Sequence, residues 1–249
     1  MDTTDILVIG AGPCGLAVGV AAKRAGLGCV LLDRRTIVST IERYPLGMTF
    51  FSAGLDLSEL TERNTTEAVM HSRMWHRVFD AIQFGKVPVV AVLHGAVVGG
   101  GLELAAACHL RVAERSAYYA LPEGSRGIFL GGGGSVRLPR LIGVSRVMEL
   151  MLTGRTYGAE EGQTYGLSHL LVDDGKGLAT GMELAERVAT NAPMSNFAIM
   201  HALPRIAESH PANGLFAESL MASVASNSED AKTRLRDFLE KRGKKVTRE

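Results

Sequence analysis

The sequence predicts an α/β protein whose strands come early and whose C-terminal part is helical. Three observations carry this. Two short apolar runs, Ile6-Leu7-Val8-Ile9 and Cys29-Val30-Leu31-Leu32, flank a glycine turn and a helical stretch. A longer apolar run, Pro88-Val89-Val90-Ala91-Val92-Leu93, leads straight into Val98-Gly99-Gly100-Gly101-Leu102-Glu103-Leu104-Ala105, where the pattern turns helical. From Leu178 onward only helical periodicity remains, broken by Pro193, Pro204 and Pro211.

The elements follow in order. After the first strand, Gly10-Ala11-Gly12-Pro13-Cys14-Gly15 opens a helix from Leu16 to Ala25 that stops at Gly26, and the second strand ends at Asp33. This is the dinucleotide fingerprint of a βαβ unit: glycines for the turn and the close pyrophosphate approach, and an acid for the ribose hydroxyls. A local Rossmann-type segment is therefore predicted over 1–50, with Gly10, Gly12, Gly15 and Asp33 as its nucleotide-binding candidates. Glu62 to Phe84 reads as a long helix with Val69, Trp75, Val78, Phe79 and Ile82 on its core face, and Trp75 is expected to pack rather than to bind. Gly85-Lys86-Val87-Pro88 breaks it and starts the buried strand.

A helix opens at Gly100 or Gly101. Arg111-Val112-Ala113 is the next strand, and Ala117 to Ala120 leads to Pro122. Val144 to Leu152 is helical and stops at Gly154, Ala159 opens a short helix ending at Gly166, and Leu170-Leu171-Val172 is the last strand. Ser228 caps the final helix, whose Ala231, Leu235, Phe238 and Leu239 share one face.

Composition narrows the class. With 249 residues, 46% of them hydrophobic, the chain can bury a sizeable core. A formal net charge of +1 gives no field to recruit nucleic acid or an anionic membrane. Cys14, Cys29 and Cys108 lack metal or redox spacing, so free thiols in a reducing compartment are expected. The acidic start Met1-Asp2-Thr3-Thr4-Asp5 does not read as a secretory signal, and the apolar run Ile6 to Ala22 is interrupted and too short to span a bilayer. A cytoplasmic protein is expected.

The chemistry concentrates in three places: Gly99 to Glu103, Leu121-Pro122-Glu123, and Gly131 to Gly134. Glycines let a backbone approach a ligand and present bare amides. A helix opening at Gly100 would aim free N–H groups and positive dipole at a developing oxyanion. Two carboxylates supply an acid and a base. Spacing alone leaves an alternative open: a buried strand, a glycine turn and ordinary surface glutamates.

Phe51-Ser52-Ala53-Gly54-Leu55-Asp56-Leu57 resembles the F-x-A-G-x-D motif of the enoyl-CoA hydratase (crotonase) superfamily. Gly99 to Ala105 resembles that family's G-G-G-x-E-L-A motif, with Pro122-Glu123 and Gly131 to Gly134 in the expected order. The resemblance covers about 51–249. It implies a crotonase-like spiral of ββα units over 51–177 and a helical trimerisation region over 178–249, giving a homotrimer or dimer of trimers. It implies an oxyanion hole from the backbone amides of Ala53 and Gly100, where losing one donor costs about 10²–10³ in rate. Glu103 then activates the water that attacks C3, and Glu123 exchanges the proton at C2. Ala53, Asp56, Leu57, Phe238 and Lys241 are the implied CoA contacts, although a basic solvated tail explains Lys241 nearly as well. Departures from the family pattern are His109 in place of an aspartate, Leu130 in place of a proline, and Arg126 in the loop after Glu123.

Residues 1–50 resemble instead the FAD-binding N-terminus of pyridine-nucleotide-disulfide-type reductases. They stand where a crotonase carries its own first strands and helix. One βαβ unit covers only part of so long a cofactor, so FAD is not expected to be bound, and no cofactor or metal is required for catalysis. The segment is expected to pack on the core as a surrogate layer, with weaker CoA binding as a consequence. The readings left open are a hydratase-type lyase acting on acyl-CoA, an isomerase or thioesterase using the same amides, and an inactive fusion or FAD-dependent oxidoreductase fragment.

Overall fold

In the computed structural model, which describes residues 6–9, 29–32, 47–52, 63–240 and 242, the strand expected over 88–93 runs further than its apolar run. The strands are β1 (Ile6–Ile9), β2 (Cys29–Leu32), β3 (Gly47–Ser52), β4 (Val90–Val98), β5 (Leu110–Glu114), β6 (Tyr118–Ala120), β7 (Thr156–Gly158) and β8 (Leu170–Val172). Among the described residues they form one sheet in the order β2-β1-β3-β4-β5-β8, with β6 beside β4 and β7 beside β6. All pairings are parallel except β6 with β7.

The central strand changes partner midway. Val90 to Leu93 pair with Leu110 to Ala113 of β5, whereas Ala96 to Val98 pair with Tyr118 to Ala120 of β6. On its other side Phe50 of β3 lies opposite Leu93 and Ser52 opposite Val97, so β4 carries extra residues between the two pairs. Gly95 sits in that bulge at φ 55°, a left-handed conformation that suits glycine. The bulge re-aims the second half of β4. His94 and Gly95 therefore lie within β4 rather than beyond its end.

Residues 1–50 supply β1 and β2, and β1 joins the sheet through Leu7 opposite Met48 and Val8 opposite Thr49. Strand β3 has no counterpart in the sequence reading, because Gly47-Met48-Thr49 interrupts its apolar pattern. The first fingerprint residues, Gly10, Gly12, Gly15 and Asp33, lie outside the described residues, as do Cys14 and the helix expected over 16–25.

Helix α1 (Thr65–Gln83) starts three residues later than expected because Asn64 caps it. The Asn64 side chain accepts from the Glu67 N–H and Glu67 accepts from the Asn64 N–H, both at 3.0 Å. Trp75 packs on Phe79, with ring centroids 5.3 Å apart, and donates to His71. Helices α2 (Gly100–Ala107), α4 (Val144–Thr153) and α5 (Ala159–Tyr165) match their expected places, the last two ending on left-handed Gly154 and Gly166. Helix α3 (Gly134–Ile142) went unforeseen, since Pro139 and a glycine start obscure its period.

The chain divides into two compact units, 1–187 and 188–249. In the first, Phe79, Ile82, Leu93, Leu102, Leu121, Leu138, Leu150 and Tyr157 are among the buried residues of the main core. Helix α6 (Gly177–Ala189) lies against the sheet, where Ala185 clusters with Val90 and Val112, and Gly181 faces Val92 too closely for a side chain. In the second unit Pro193 and Pro211 open helices α7 (Pro193–Phe197) and α9 (Pro211–Ser226), and Pro204 sits in the first turn of α8 (Leu203–Glu208). Prolines thus start helices there rather than merely break them. Ser228 caps α10 (Glu229–Leu239) by accepting from the Ala231 N–H at 3.2 Å. The shared apolar face of α10 is exposed in the single chain at Leu235, Phe238 and Leu239, as are Leu215, Phe216 and Leu220 on α9.

Gly162 of α5 packs directly on the ring of Tyr119, which is fully buried and has no room to retreat. A methyl group there would overlap the ring. Gly162→Ala should lower the unfolding free energy by about 1–3 kcal/mol or more, read from urea unfolding; unchanged stability would show that this interface yields.

Candidate active site

Three strand ends meet on one side of the sheet. Parallel strands β3, β4 and β6 run the same way, and their last paired residues, Ser52, Val98 and Ala120, hand over to the three sequence motifs. Ligands in sheets of parallel strands characteristically sit at such carboxyl ends. Gly99 closes the corner: its N–H donates to the Ala120 carbonyl at 3.0 Å, and its backbone, at φ 54° and ψ −123°, suits glycine alone.

Helix α2 then opens at Gly100, as expected. Its first N–H groups have no acceptor within the helix, so the Gly100 amide is presented at the end of β4. Ala53 follows Ser52 directly in sequence but lies outside the described residues, as do Asp56, Leu57 and Lys241. What the register does fix is that Ser52 lies opposite Val97, three residues before Gly100. Phe238 is exposed on α10, in the second unit.

Glu103, in the first turn of α2, is buried at 5% exposure. Its Oε1 accepts from the backbone N–H groups of Gly132 and Gly134, both at 2.8 Å. These bonds to an ionised acceptor are of the strong kind and offset much of the desolvation of a buried charge. The turn must be glycine for this approach: a Cβ at Gly132 would stand 2.8 Å from the Phe79 ring and 3.0 Å from Glu103 Oε2, and one at Gly134 only 2.7 Å from Glu103 Cγ. The amides of this turn, expected to face a ligand, hold the chain's own carboxylate instead.

Glu123 is buried to a similar degree, at 7% exposure, in a different setting. A Cβ on Gly99 would lie 2.9 Å from its Oε1, so the carboxylate is packed on that corner. Its Oε2 accepts no hydrogen bond among the described residues. Burial pushes the carboxyl above the ordinary range, and the negative charge of Glu103 pushes the same way; its own backbone N–H and Arg126 oppose this. The loop is held by Ile128 N–H donating to Glu123 O at 3.0 Å and by Ser125 Oγ donating to Pro122 O at 2.8 Å. Gly124 rests on the Met151 carbonyl of α4, leaving no space for a side chain.

The departures from the expected pattern find physical roles. His109 Nδ1 accepts from the Val89 N–H at 3.0 Å, which leaves Nε2 protonated to donate to Gln83 O, also at 3.0 Å. The histidine thus ties the end of α1 to the start of β4. Leu130 is buried in the core, and Arg126 is exposed. Cys108 is a buried free thiol whose pKa burial pushes up to about 12, which leaves it inert at neutral pH. No cluster of metal-ligating side chains and no helix long and apolar enough to cross a membrane occur among the described residues.

Arg137 was missed by sequence reasoning. It is 8% exposed and holds the glycine turn from behind through the Gly132 carbonyl. Its signal was weak: one arginine inside an unrecognised helix.

The family profile Enoyl-CoA hydratase/isomerase matches residues 47–248, and that of Pyridine nucleotide-disulphide oxidoreductase matches 7–75. The two-part character of the chain is thus real, and the two matches overlap over residues 47–75, from β3 into α1. A short-chain-enoyl-CoA hydratase of Clostridium acetobutylicum is 32% identical over 192 residues, 77% of this chain and 74% of that protein. A crystal structure provisionally named enoyl-CoA hydratase, from Rhodopseudomonas palustris, is 60% identical with a TM-score of 0.76, covering 79% of each chain. Enoyl-CoA hydratase from Bacillus anthracis superposes with a TM-score of 0.75 at 28% identity, over 93% of this chain and 88% of the other.

Because the charge of Glu103 helps to hold the proton on Glu123, Glu103→Gln should lower the Glu123 pKa while burial keeps it above an exposed glutamate's. A carboxyl carbon-13 titration followed by NMR measures this; a Glu123 titration that does not move in the variant means the two groups are not coupled.

Proposed function

Since the chain belongs to the enoyl-CoA hydratase/isomerase family, we propose that it adds water across the C2=C3 bond of an enoyl-CoA thioester. The observation that carries this reading is the pair of buried carboxylates at one corner of the sheet, one held by two amides and the other with an unpartnered oxygen. Together with the free helix start at Gly100, they supply a base, an acid and an oxyanion donor.

In this reading the thioester oxygen accepts from the amides of Ala53 and Gly100. Glu103 takes a proton from water as its oxygen bonds to C3. The C2=C3 pair moves toward the thioester, and the oxyanion hole stabilises the enolate-like oxygen. Glu123 then gives its proton to C2, and the thioester carbonyl re-forms. The cycle leaves Glu103 protonated and Glu123 ionised, so one proton must pass between them or through solvent before the next turnover. The raised pKa of Glu123 suits the donor role, and rate is lost as pH rises through it.

Asp56 and Leu57 join Ala53 in holding CoA, while Lys241, with Phe238 beside it, reaches the CoA phosphate from a neighbouring subunit. The exposed apolar residues of α9 and α10 support a homotrimer or dimer of trimers. No cofactor takes part, and FAD is not held stoichiometrically despite Gly10, Gly12, Gly15 and Asp33.

Loss of the enoyl-CoA ultraviolet absorbance tests the reaction. Glu103→Gln and Glu123→Gln should each lower turnover by about 10²–10⁴. Near-normal hydration by folded Glu123→Gln would sink the two-carboxylate mechanism, and isomerised or hydrolysed product without hydration would move the assignment to those activities.

The flavin question is answered by colour. The desalted protein should be colourless, without the visible absorbance of an oxidised flavin. A yellow protein with close to one FAD per chain would revive an oxidoreductase reading.

A further inference from the structure

Arg137 touches none of the proposed reacting groups, yet it joins the turn that holds Glu103 to helix α1. Its Nη1 donates to the Gly132 carbonyl at 3.1 Å, its Nη2 to Asp80 Oδ1 at 2.7 Å, and its Nε to Gln83 Oε1 at 2.7 Å. The guanidinium is buried, and Gly133 leaves space for it by having no side chain. Asp80 and Gln83 both stand on α1, so the arginine spans from a core helix to the glycine turn. A second tie comes from the same helix, where Ser72 Oγ donates to the Gly131 carbonyl at 2.6 Å.

The two ties act on neighbouring peptide units. The Gly131–Gly132 unit accepts from Ser72 at its carbonyl and donates to Glu103 at its N–H. The next unit accepts from Arg137 at its carbonyl, and the Gly134 N–H supplies the second bond to Glu103. Glycine turns are loose by nature because the backbone has many accessible conformations. Here Ser72 of α1 fixes the Gly131 carbonyl, and the arginine, itself anchored to α1, fixes the peptide between the two amides.

We propose that Arg137 is a positioning residue for the reaction: anchored by Asp80 and Gln83, it fixes the Gly132–Gly134 turn so that its two amides hold the Glu103 carboxylate in line with the attacking water. The last step of this proposal rests on the hydratase reading of Glu103; the clamp itself does not. The arginine's planar fork is what serves three acceptors at once, and a lysine cannot reproduce it.

Two variants and two measurements test it. In Arg137→Lys and the milder Asp80→Asn, amide proton resonances of Gly132 and Gly134, shifted downfield by their bonds to a carboxylate, should move upfield in folded protein. Hydration by Arg137→Lys should show kcat lowered at least about tenfold with KM within about twofold, as expected when a reacting group is misplaced rather than substrate lost. In a Glu103→Gln background the same substitution should cost less than about twofold more, because both changes act through one group. Unchanged amide resonances in both folded variants overturn the proposal. So does a kcat that stays at the wild-type level, or a full tenfold loss that persists without the Glu103 carboxylate. If the wild-type protein does not hydrate enoyl-CoA, the hydratase reading fails and the resonances alone decide the clamp: movement supports it, and constancy refutes it.

Discussion

The burial of the Glu103 carboxylate is the constraint around which the site is built. An ionised group at 5% exposure must find donors, and the surrounding residues Leu102, Leu104 and Ala105 offer none. The donors are backbone amides of a turn 29 and 31 residues further on. That choice dictates glycine at Gly132 and Gly134, since any Cβ would meet Glu103 or Phe79. It also dictates that the turn be held from outside, which Ser72 and Arg137 do. A single buried charge thus links α2, the glycine turn, α3 and α1 into one assembly.

The second constraint is the bulge at Gly95. Without it β4 would continue straight and keep one pair of neighbours along its length. With it, the first half of the strand stays between β3 and β5 while the second half turns to take β6. The glycine corner at Gly99 and the Pro122-Glu123 loop then emerge side by side, joined by the Gly99 to Ala120 bond. The chemistry sits at the end of a strand that the backbone deliberately bends. Strands β1 and β2 extend the same sheet beyond β3, so part of the chain resembling a reductase contributes to the sheet of a crotonase.

Much of this was legible in the residues. The runs at 88–93 and 170–172 and the stop glycines at 154 and 166 gave strands and helix ends by local rules, because pattern and cap act within a few residues. The carboxylates and their glycine corner were legible as a group because three motifs recur in order. What escaped had non-local causes. The strand at Gly47–Ser52 is polar-interrupted and exists because β4 and β1 flank it. Helix Gly134–Ile142 begins on glycine and contains Pro139, so propensity argued against it, yet its Leu138 and Ile142 are buried in the core. Arg137 was invisible for the same reason: its partners Asp80 and Gln83 are more than fifty residues away in sequence. The boundary between the two compact units, at 187/188, falls later than the last strand because α6 still covers the sheet.

Two glutamates of identical chemistry face different surroundings at this corner, and the difference is written in the backbone. The Oε1 atom of Glu103 is committed as an acceptor: two N–H groups point at it, a position from which a carboxylic acid could not donate. Glu123 receives no such pair, and its Oε2 is buried without a partner. Burial therefore outweighs its own backbone N–H and Arg126 at Glu123, and the neighbouring negative charge adds to it. A carboxyl with a raised pKa beside one that accepts from two amides gives identical residue types different surroundings. The glycine turn makes that difference, because it spends its amides on only one of them.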